Sequence, residues 1–507
     1  MTAEYTVAGD SYLLWLPIAM SLFNIRLVLL FVGLLLFIGS YFKKSERSLH
    51  FTHLDGRKLR ILPEDTRYLR FTHGGELSKA AEERFGNDPY LLKNKTGIDL
   101  VLFTPSQLRD FFKEDGKDHR KRQDASMGNY FLRSLGQCVG AQNGERWHQT
   151  RRHLEPHFSA FEAAGMIEDF QKTLNCWAKG LPMDPMSENL SHSEFMADSI
   201  AICRQLPFRM IAMCLYGNML TDERYESLWD LNSIHERVTH HTFFGTWQNM
   251  PFYDLLPTHA NRDLAEYEGR WKEFNLEIVY KSRATHTPCR AARMFEAVEN
   301  GDMSIQMYLQ SLDEILFTNI DVTSAQFAYA LISIGKALVS QRRLQQEVEH
   351  MLNEKEDIDV YARKEDTFLH KAYLEILRSN PPIWFTFPET TAVEKRIDGY
   401  LIPADTNVLI DTRRLNKDSP IWGGTGHQFQ PERWDHITAG QARYSFLGYG
   451  MGPRKCLGKN FANIIIKLFL ITVAYNFDLM AGDGITGIKR DRFTCMPEQV
   501  VIFKERR

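Results

Sequence analysis

The sequence predicts a mainly α-helical protein with a minor β-sheet region, preceded by one N-terminal membrane-spanning helix. Apolar residues recur three and four apart over Ser311 to Leu338 and Lys371 to Ser379, the period of helices with a buried face. Strand-like pieces are few: a β-prone patch near residues 68 to 103, then Tyr400-Leu401-Ile402, Asn407 to Ile410 and Val500 to Phe503. Ahead of them all, Tyr12 to Phe42 carries a single charge, Arg26.

That first segment reads as a membrane anchor. As helix, Leu27 to Phe42 spans roughly 24 Å, short of a ~30 Å hydrocarbon core, so Ile25 and earlier residues join it and Arg26 snorkels or the helix tilts. A cleaved signal peptide would carry positive charge ahead of its apolar run, whereas this chain begins with Glu4 and Asp10 and places Lys43, Lys44 and Arg47 after it. The same asymmetry puts the C-terminal bulk in the cytosol. The expected division is an anchor over 1–48 and one domain over 49–507, because no repeat, linker or low-complexity tract marks another boundary.

With 44% hydrophobic residues, 25% charged residues and a formal net charge of −3, the chain is neither basic enough for nucleic acid nor low in complexity. Its seven cysteines (138, 176, 203, 214, 289, 456, 495) form no CxxC pair, so neither a zinc site nor a disulfide framework is indicated.

Chemistry concentrates near the C-terminus, in Tyr449-Gly450-Met451-Gly452-Pro453-Arg454-Lys455-Cys456-Leu457-Gly458. Glycines let backbone pack around a flat object and leave amides free to face a sulfur, while Arg454 offers a fork for a carboxylate. Five such residues at fixed offsets arise by chance on the order of once in ten thousand chains this long. Upstream, Gly144 to Arg152 puts Trp147 and Arg151 on one helix face at i, i+4. Glu375 and Arg378 lie a turn apart in an apolar-faced helix, whereas a second E-x-x-R at Glu64 to Arg67 follows Pro63 at a loop or helix start. Alone, each has a bland reading: a buried free thiol, a solvated basic helix face, a chance spacing.

Together and in this order the motifs resemble the cytochromes P-450, the haem-thiolate monooxygenases, over roughly residues 50 to 507. The resemblance implies that Cys456 is the axial thiolate ligand of haem b, whose electron push favours O–O cleavage. It implies that Gly450 shapes the loop, that Trp147, Arg151 and Arg454 serve the haem propionates, and that Glu375 and Arg378 hold Arg433 of Phe429-Gln430-Pro431-Glu432-Arg433-Trp434 to brace the cysteine loop. Phe317 to Ser324 falls where the oxygen-binding helix belongs, with Asp321 keeping the acid and Thr323 beside it. Three departures stand out. Tyr449 replaces a phenylalanine. Val322 replaces the threonine that steadies a proton-bearing water, and a valine methyl cannot hydrogen-bond. Glu389 stands where an arginine often meets the second propionate.

For Val322 three outcomes stay open: Thr323 reaches the site through water or a helix distortion, a substrate hydroxyl supplies the group, or the reaction is unusual. Family topology would line the substrate pocket from Met127 to Leu135, His235 to Phe252, near Phe317 and Asp321, Ile383 to Phe387 and Phe493 to Met496. Trp384, Phe385 and Phe493 suggest a sizeable, mostly apolar substrate, and Asn319 a group that orients its carbonyl or amide. A basic run of Lys117, His119, Arg120, Lys121 and Arg122, with Arg146, Arg152, Lys455 and Lys459, suits an acidic electron donor.

The expected function is haem-dependent oxidation, by hydroxylation or epoxidation, of a lipophilic small molecule at the endoplasmic reticulum membrane. NADPH-cytochrome P-450 reductase supplies the electrons, with a cytochrome b-type donor as a further partner. The motifs resemble fungal secondary-metabolism members, mycotoxin biosynthesis included. The alternatives are oxidative coupling, ring formation or rearrangement without net oxygen insertion, and, from another class, a non-catalytic haem-binding membrane protein.

Overall fold

The computed structural model describes Gly33 and residues 51–507, apart from 95–96, 114–115, 117, 126, 249–251, 483–486 and 507. Apart from Gly33, the expected membrane helix and its boundary at 48 lie outside the described residues.

Helices carry most of the body, as their apolar periodicity requires. The β-prone patch near 68 to 103 divides instead into helices Thr66–Thr72 and Gly74–Phe85 followed by strands Tyr90–Asn94 and Gly97–Leu102. Leu77, Ala81 and Phe85, four apart, pack one helical face onto Tyr90, Leu92 and Val101 of those strands, so helical spacing prevails over β propensity.

A six-stranded mixed sheet gathers, in spatial order, Arg60–Asp65, Tyr90–Asn94, Gly97–Leu102, Asn407–Ile410, Glu389–Thr390 and Arg120–Lys121. Asn407–Ile410 runs parallel to Gly97–Leu102 and antiparallel to Glu389–Thr390, and so fixes where Glu389 sits. The expected strands at Tyr400–Ile402 and Val500–Glu505 are also present. The latter belongs to a four-stranded antiparallel sheet in which Phe503 lies opposite Phe195, their rings stacked at 4.9 Å.

The long apolar run of Ser311 to Leu338 is not one helix. It breaks into Ile305–Leu316 and Ile320–Lys336. The Thr318 amide reaches back to the Asp313 carbonyl, leaving the Glu314 and Ile315 carbonyls to the Asn319 side chain, whose Nδ2 donates to them at 2.7 and 3.2 Å. A side chain that satisfies carbonyls from within the chain stabilises the interruption it creates. Behind the second segment, helix Lys459–Asn476 is apolar nearly all round and buried, with Phe327 stacked on Phe469 at 4.2 Å. Each such side chain taken from water contributes about 1.5–3 kcal/mol. Cys456 therefore precedes a helix anchored in the core and lies on a loop fixed at both ends.

Candidate active site

The cysteine loop depends on its glycines at two positions. Gly450 and Gly452 have φ of +79° and +69°, and a Cβ on Gly452 would come within 3.2 Å of the Phe112 ring. The turn they make lets the Cys456 amide donate to the Tyr449 carbonyl at 2.8 Å. Tyr449 itself is accounted for: Tyr373 donates to its hydroxyl at 3.0 Å, so the extra oxygen relative to phenylalanine has a buried partner.

Cys456 keeps an accessible surface although protein packs closely around it. Burial pushes its thiol up, while the Gly458 and Lys459 amides and the Arg151 guanidinium pull it back down. Amides aimed at a sulfur are what a metal-bound thiolate needs.

Trp147, buried on helix Gly144–Leu154, lies 4.6 Å from the Arg454 guanidinium in a cation–π contact. Arg454 donates to the Gln142 carbonyl at 2.9 Å and the Asn143 side chain at 3.0 Å, and Arg151 donates to the Lys455 carbonyl at 3.2 Å. Trp147, Arg151 and Arg454 thus meet beside the cysteine loop. Burial lowers Arg454 from its ordinary value, Glu389 opposes that and Arg151 adds to it. A carboxylate beside these guanidiniums would relieve the strain, which is the chemistry of a haem propionate. The residues present fit haem b: an accessible cysteine with amides at its sulfur, and the guanidiniums of Arg151 and Arg454 beside its loop.

The brace is formed as expected and is wider than expected. Arg378 Nε and Nη2 meet the Glu375 carboxylate at 2.8 and 2.7 Å, and Arg433 Nε reaches it at 2.9 Å. Glu375 also accepts from the Gln430 amide and the Trp434 indole, and Arg378 donates to the carbonyls of Asn416, Gly426 and Gln428. The second E-x-x-R, at Glu64 to Arg67, straddles a strand end and a helix start and belongs to none of this.

Glu389 is no propionate ligand. Burial alone would raise its carboxyl, but Lys121 at 3.2 Å and His119 at 3.1 Å outweigh it and bring it down to about 2. This takes part of the basic run away from the patch expected to meet an acidic electron donor. His119 and Lys121 are drawn in by Glu389, and Arg122 pairs with Asp124 at 2.7 Å. Arg120, Arg146, Arg152, Lys455 and Lys459 remain exposed, and Lys117 lies outside the described residues.

A cavity of about 510 Å³ is bordered by the broken helix, helix Asp222–Phe244 and the turn carrying Phe493. Its aromatic wall is Phe243, Phe244, Phe317 and Phe493, with Phe493 stacked on Phe243 at 4.6 Å. Its opposite wall is ionic, a feature the sequence reading missed. Arg204 Nη1 meets Asp321 Oδ1 at 3.0 Å and also pairs with Glu236, while Arg492 lies 3.6 Å from both acids. Arg204 and Arg492 belong to no motif, and only the fold brings them to Asp321.

Three expectations need correction. Trp384 lies against Gly74 and Gly75, and Phe385 is buried among Leu77, Tyr90 and Leu409, so neither lines this cavity. Asn319 spends its amide hydrogens on the helix break, which leaves none for a substrate carbonyl. Thr323 donates its hydroxyl hydrogen to the Asn319 and Ile320 carbonyls, at 2.8 and 3.2 Å. Val322 packs against the apolar cluster of Phe71, Phe131, Phe243 and Phe493, where a hydroxyl would be a poor fit.

An accessible thiol with amides at its sulfur, guanidiniums beside its loop and a broken helix bordering a ligand-sized cavity fit a haem-thiolate class of oxidoreductase. Comparison with known proteins is consistent. A family model described as Cytochrome P450 matches residues 83–499. Similar proteins include cytochrome P450 monooxygenase lepD of Aspergillus flavus, 35% identical over 451 residues, which is 89% of this chain and 88% of that one. Cytochrome P450 monooxygenase apdB of Emericella nidulans is 32% identical over 502 residues, 94% and 95% of the two chains. Cytochrome P450 monooxygenase opdB of Penicillium oxalicum is 31% identical over 439 residues, 86% and 87%. The chain belongs to the cytochrome P450 family and is a monooxygenase of that family.

Proposed function

We propose that this chain is a membrane-anchored monooxygenase that holds haem b through Cys456, takes electrons from an NADPH-dependent P-450 reductase at the endoplasmic reticulum, and inserts one oxygen atom into a lipophilic small molecule of a fungal secondary pathway. The observation that carries this reading is Cys456 itself, accessible and with two backbone amides directed at its sulfur. When bound, the haem would supply dioxygen activation. The protein's part is positional. Glu375, Arg378 and Arg433 keep the loop rigid, Arg151 and Arg454 neutralise carboxylates at the rim, and the aromatic wall excludes water and holds an apolar body. The ionic wall of Arg204, Asp321, Glu236 and Arg492 favours a substrate with a polar end as well, narrower than the mostly apolar molecule expected from the sequence.

A second reading has its own support: with Val322 in an apolar cluster and Thr323 committed to backbone, the site favours ring formation, coupling or rearrangement without net oxygen gain. High-resolution mass spectrometry of the native host with and without the gene separates the two. An accumulated precursor lacking one oxygen supports insertion. One differing by two hydrogens, by dimerisation or not at all in mass supports the second reading.

A further inference from the structure

The ionic wall of the cavity holds one cation that its acids do not satisfy. Arg204 donates to Asp321 Oδ1 at 3.0 Å and to Glu236, which also accepts from the Asn232 side chain at 3.0 Å. Arg492 sits against the same two acids without bonding to them. Its Nη1 lies 3.6 Å from Asp321 and its Nη2 3.6 Å from Glu236, beyond hydrogen-bond reach, and its buried Nε has no hydrogen-bond partner among the described residues. A guanidinium carries five N–H donors, and buried donors are normally paired. The Arg492 side chain lines the cavity and keeps 27% of its surface exposed, so a ligand can reach it.

Charge decides what this guanidinium can receive. Two arginines and two carboxylates make the cluster neutral, the exposed Asp491 lies 4.0 Å from Arg492 Nε, and Arg237 and Asp263, also on the wall, pair with each other at 3.0 Å. An anionic group brought to Arg492 would meet Asp321, Glu236 and Asp491, and a cationic one would meet both arginines. A neutral carbonyl oxygen accepts an N–H without either repulsion. Phe493 follows Arg492 in the chain and stacks on Phe243 at 4.6 Å, so the unused donors stand beside the aromatic wall. Apolar surface with a few placed polar groups is the composition by which a pocket orients a lipophilic ligand.

We propose that Arg492 is the specificity-determining residue of this cavity, donating to the neutral carbonyl oxygen of a ketone, ester or amide on a lipophilic ligand whose body lies against Phe243 and Phe493. The inference rests on the reading of this cavity as the seat of the lipophilic substrate, and it names the chemistry of that substrate's polar end. Arg492 orients the ligand and transfers nothing to it. Because Arg204 keeps both acids paired, Arg492 can be replaced without leaving either carboxylate alone.

Equilibrium dialysis of the haem-loaded protein against benzophenone, diphenylmethane and diphenylacetate tests this. The first two probes share a shape and differ in the carbonyl, and the third carries a carboxylate. Arg492→Met removes the donors at similar length, while Arg492→Gln keeps a donor without the charge. Irradiating bound benzophenone, which inserts into neighbouring C–H bonds, reports where it lies. The ratio of the diphenylmethane Kd to the benzophenone Kd is expected to be about ten-fold higher in the native protein than in Arg492→Met, the worth of a hydrogen bond from a charged donor. Arg492→Gln should keep part of that preference, the cross-links should fall on peptides carrying Phe243 or Phe493, and diphenylacetate should bind no more tightly than benzophenone. An equal ratio in native protein and Arg492→Met overturns the proposal. So does a glutamine variant no better than methionine, the pattern of a residue that only balances charge, or diphenylacetate held more tightly than benzophenone through Arg492. If neither neutral probe binds, or benzophenone cross-links only outside the cavity, the reading of the cavity as the lipophile's seat fails and takes the proposal with it, so the two failures are distinguishable.

Discussion

Replacing Arg378 by alanine tests the brace beneath the cysteine loop. Arg378 and Glu375 are fully buried, and five hydrogen bonds leave the guanidinium: two to Glu375 and one each to the carbonyls of Asn416, Gly426 and Gln428. Breaking a buried ion pair by removing one partner costs about 3–5 kcal/mol. The three carbonyls lose their donors as well, at about 1 kcal/mol or more each, since buried acceptors cannot recover water. Arg433 and the Gln430 amide still reach Glu375, which keeps the ion-pair part toward the lower end. The total is still comparable with the ~5–15 kcal/mol that stabilises a typical folded domain. Because the carbonyls belong to the segment leading into the cysteine loop, the loss falls on the haem seat. Arg378→Ala is therefore expected to yield little or no haem-bearing protein, and Arg378→Lys, which cannot make the fork, a reduced amount. The assay is haem content per polypeptide together with the urea midpoint. A purified alanine variant with full haem content and an unchanged midpoint would refute the reasoning.

Other outcomes follow from particular contacts. Glu389, held down to about 2 against an ordinary 4.5, contributes stability that is present above pH 4.5 and lost as pH falls toward 2. The shift corresponds to about 3 kcal/mol, so Glu389→Gln should flatten the fall in urea stability between pH 5 and 3; an unchanged slope contradicts the pairing with Lys121 and His119. The Tyr373 and Tyr449 hydroxyls should show a coupling of about 0.5–1.5 kcal/mol in a double-mutant cycle with phenylalanine at each, measured by denaturant unfolding, and additive variants would deny their hydrogen bond. Gly452→Ala, strained by its φ of +69° and pressed on Phe112, should lower haem content; normal loading would show that the turn tolerates a Cβ.

Motifs of short range were legible in the sequence because their spacing is itself the geometry. Trp147 with Arg151, Glu375 with Arg378, and the glycines around Cys456 need only a helix turn or a tight loop to meet. Partners distant along the chain were not. Arg204 and Arg492 reach Asp321 from 117 and 171 residues away, and His235 reaches Asp313 from 78, distances that no local pattern encodes. The helix break was hidden for a different reason: apolar periodicity continues through it, and only the Asn319 side chain, which donates to carbonyls at the break, signals the change. Trp384 and Phe385 misled because an aromatic residue serves a cavity wall or a core equally well, and here Gly74 and Gly75 make room for Trp384 against a helix. Glu389 could have been read with Lys121 and His119 only by knowing that Arg120–Lys121 pairs with Glu389–Thr390 as strands.

The most direct test of the account is the absorption spectrum of the ferrous carbon monoxide complex in the native protein and in Cys456→Ala. The account predicts a Soret maximum at the position typical of thiolate ligation in the native protein and its loss in the variant. A thiolate-type band that persists without the Cys456 sulfur would contradict it.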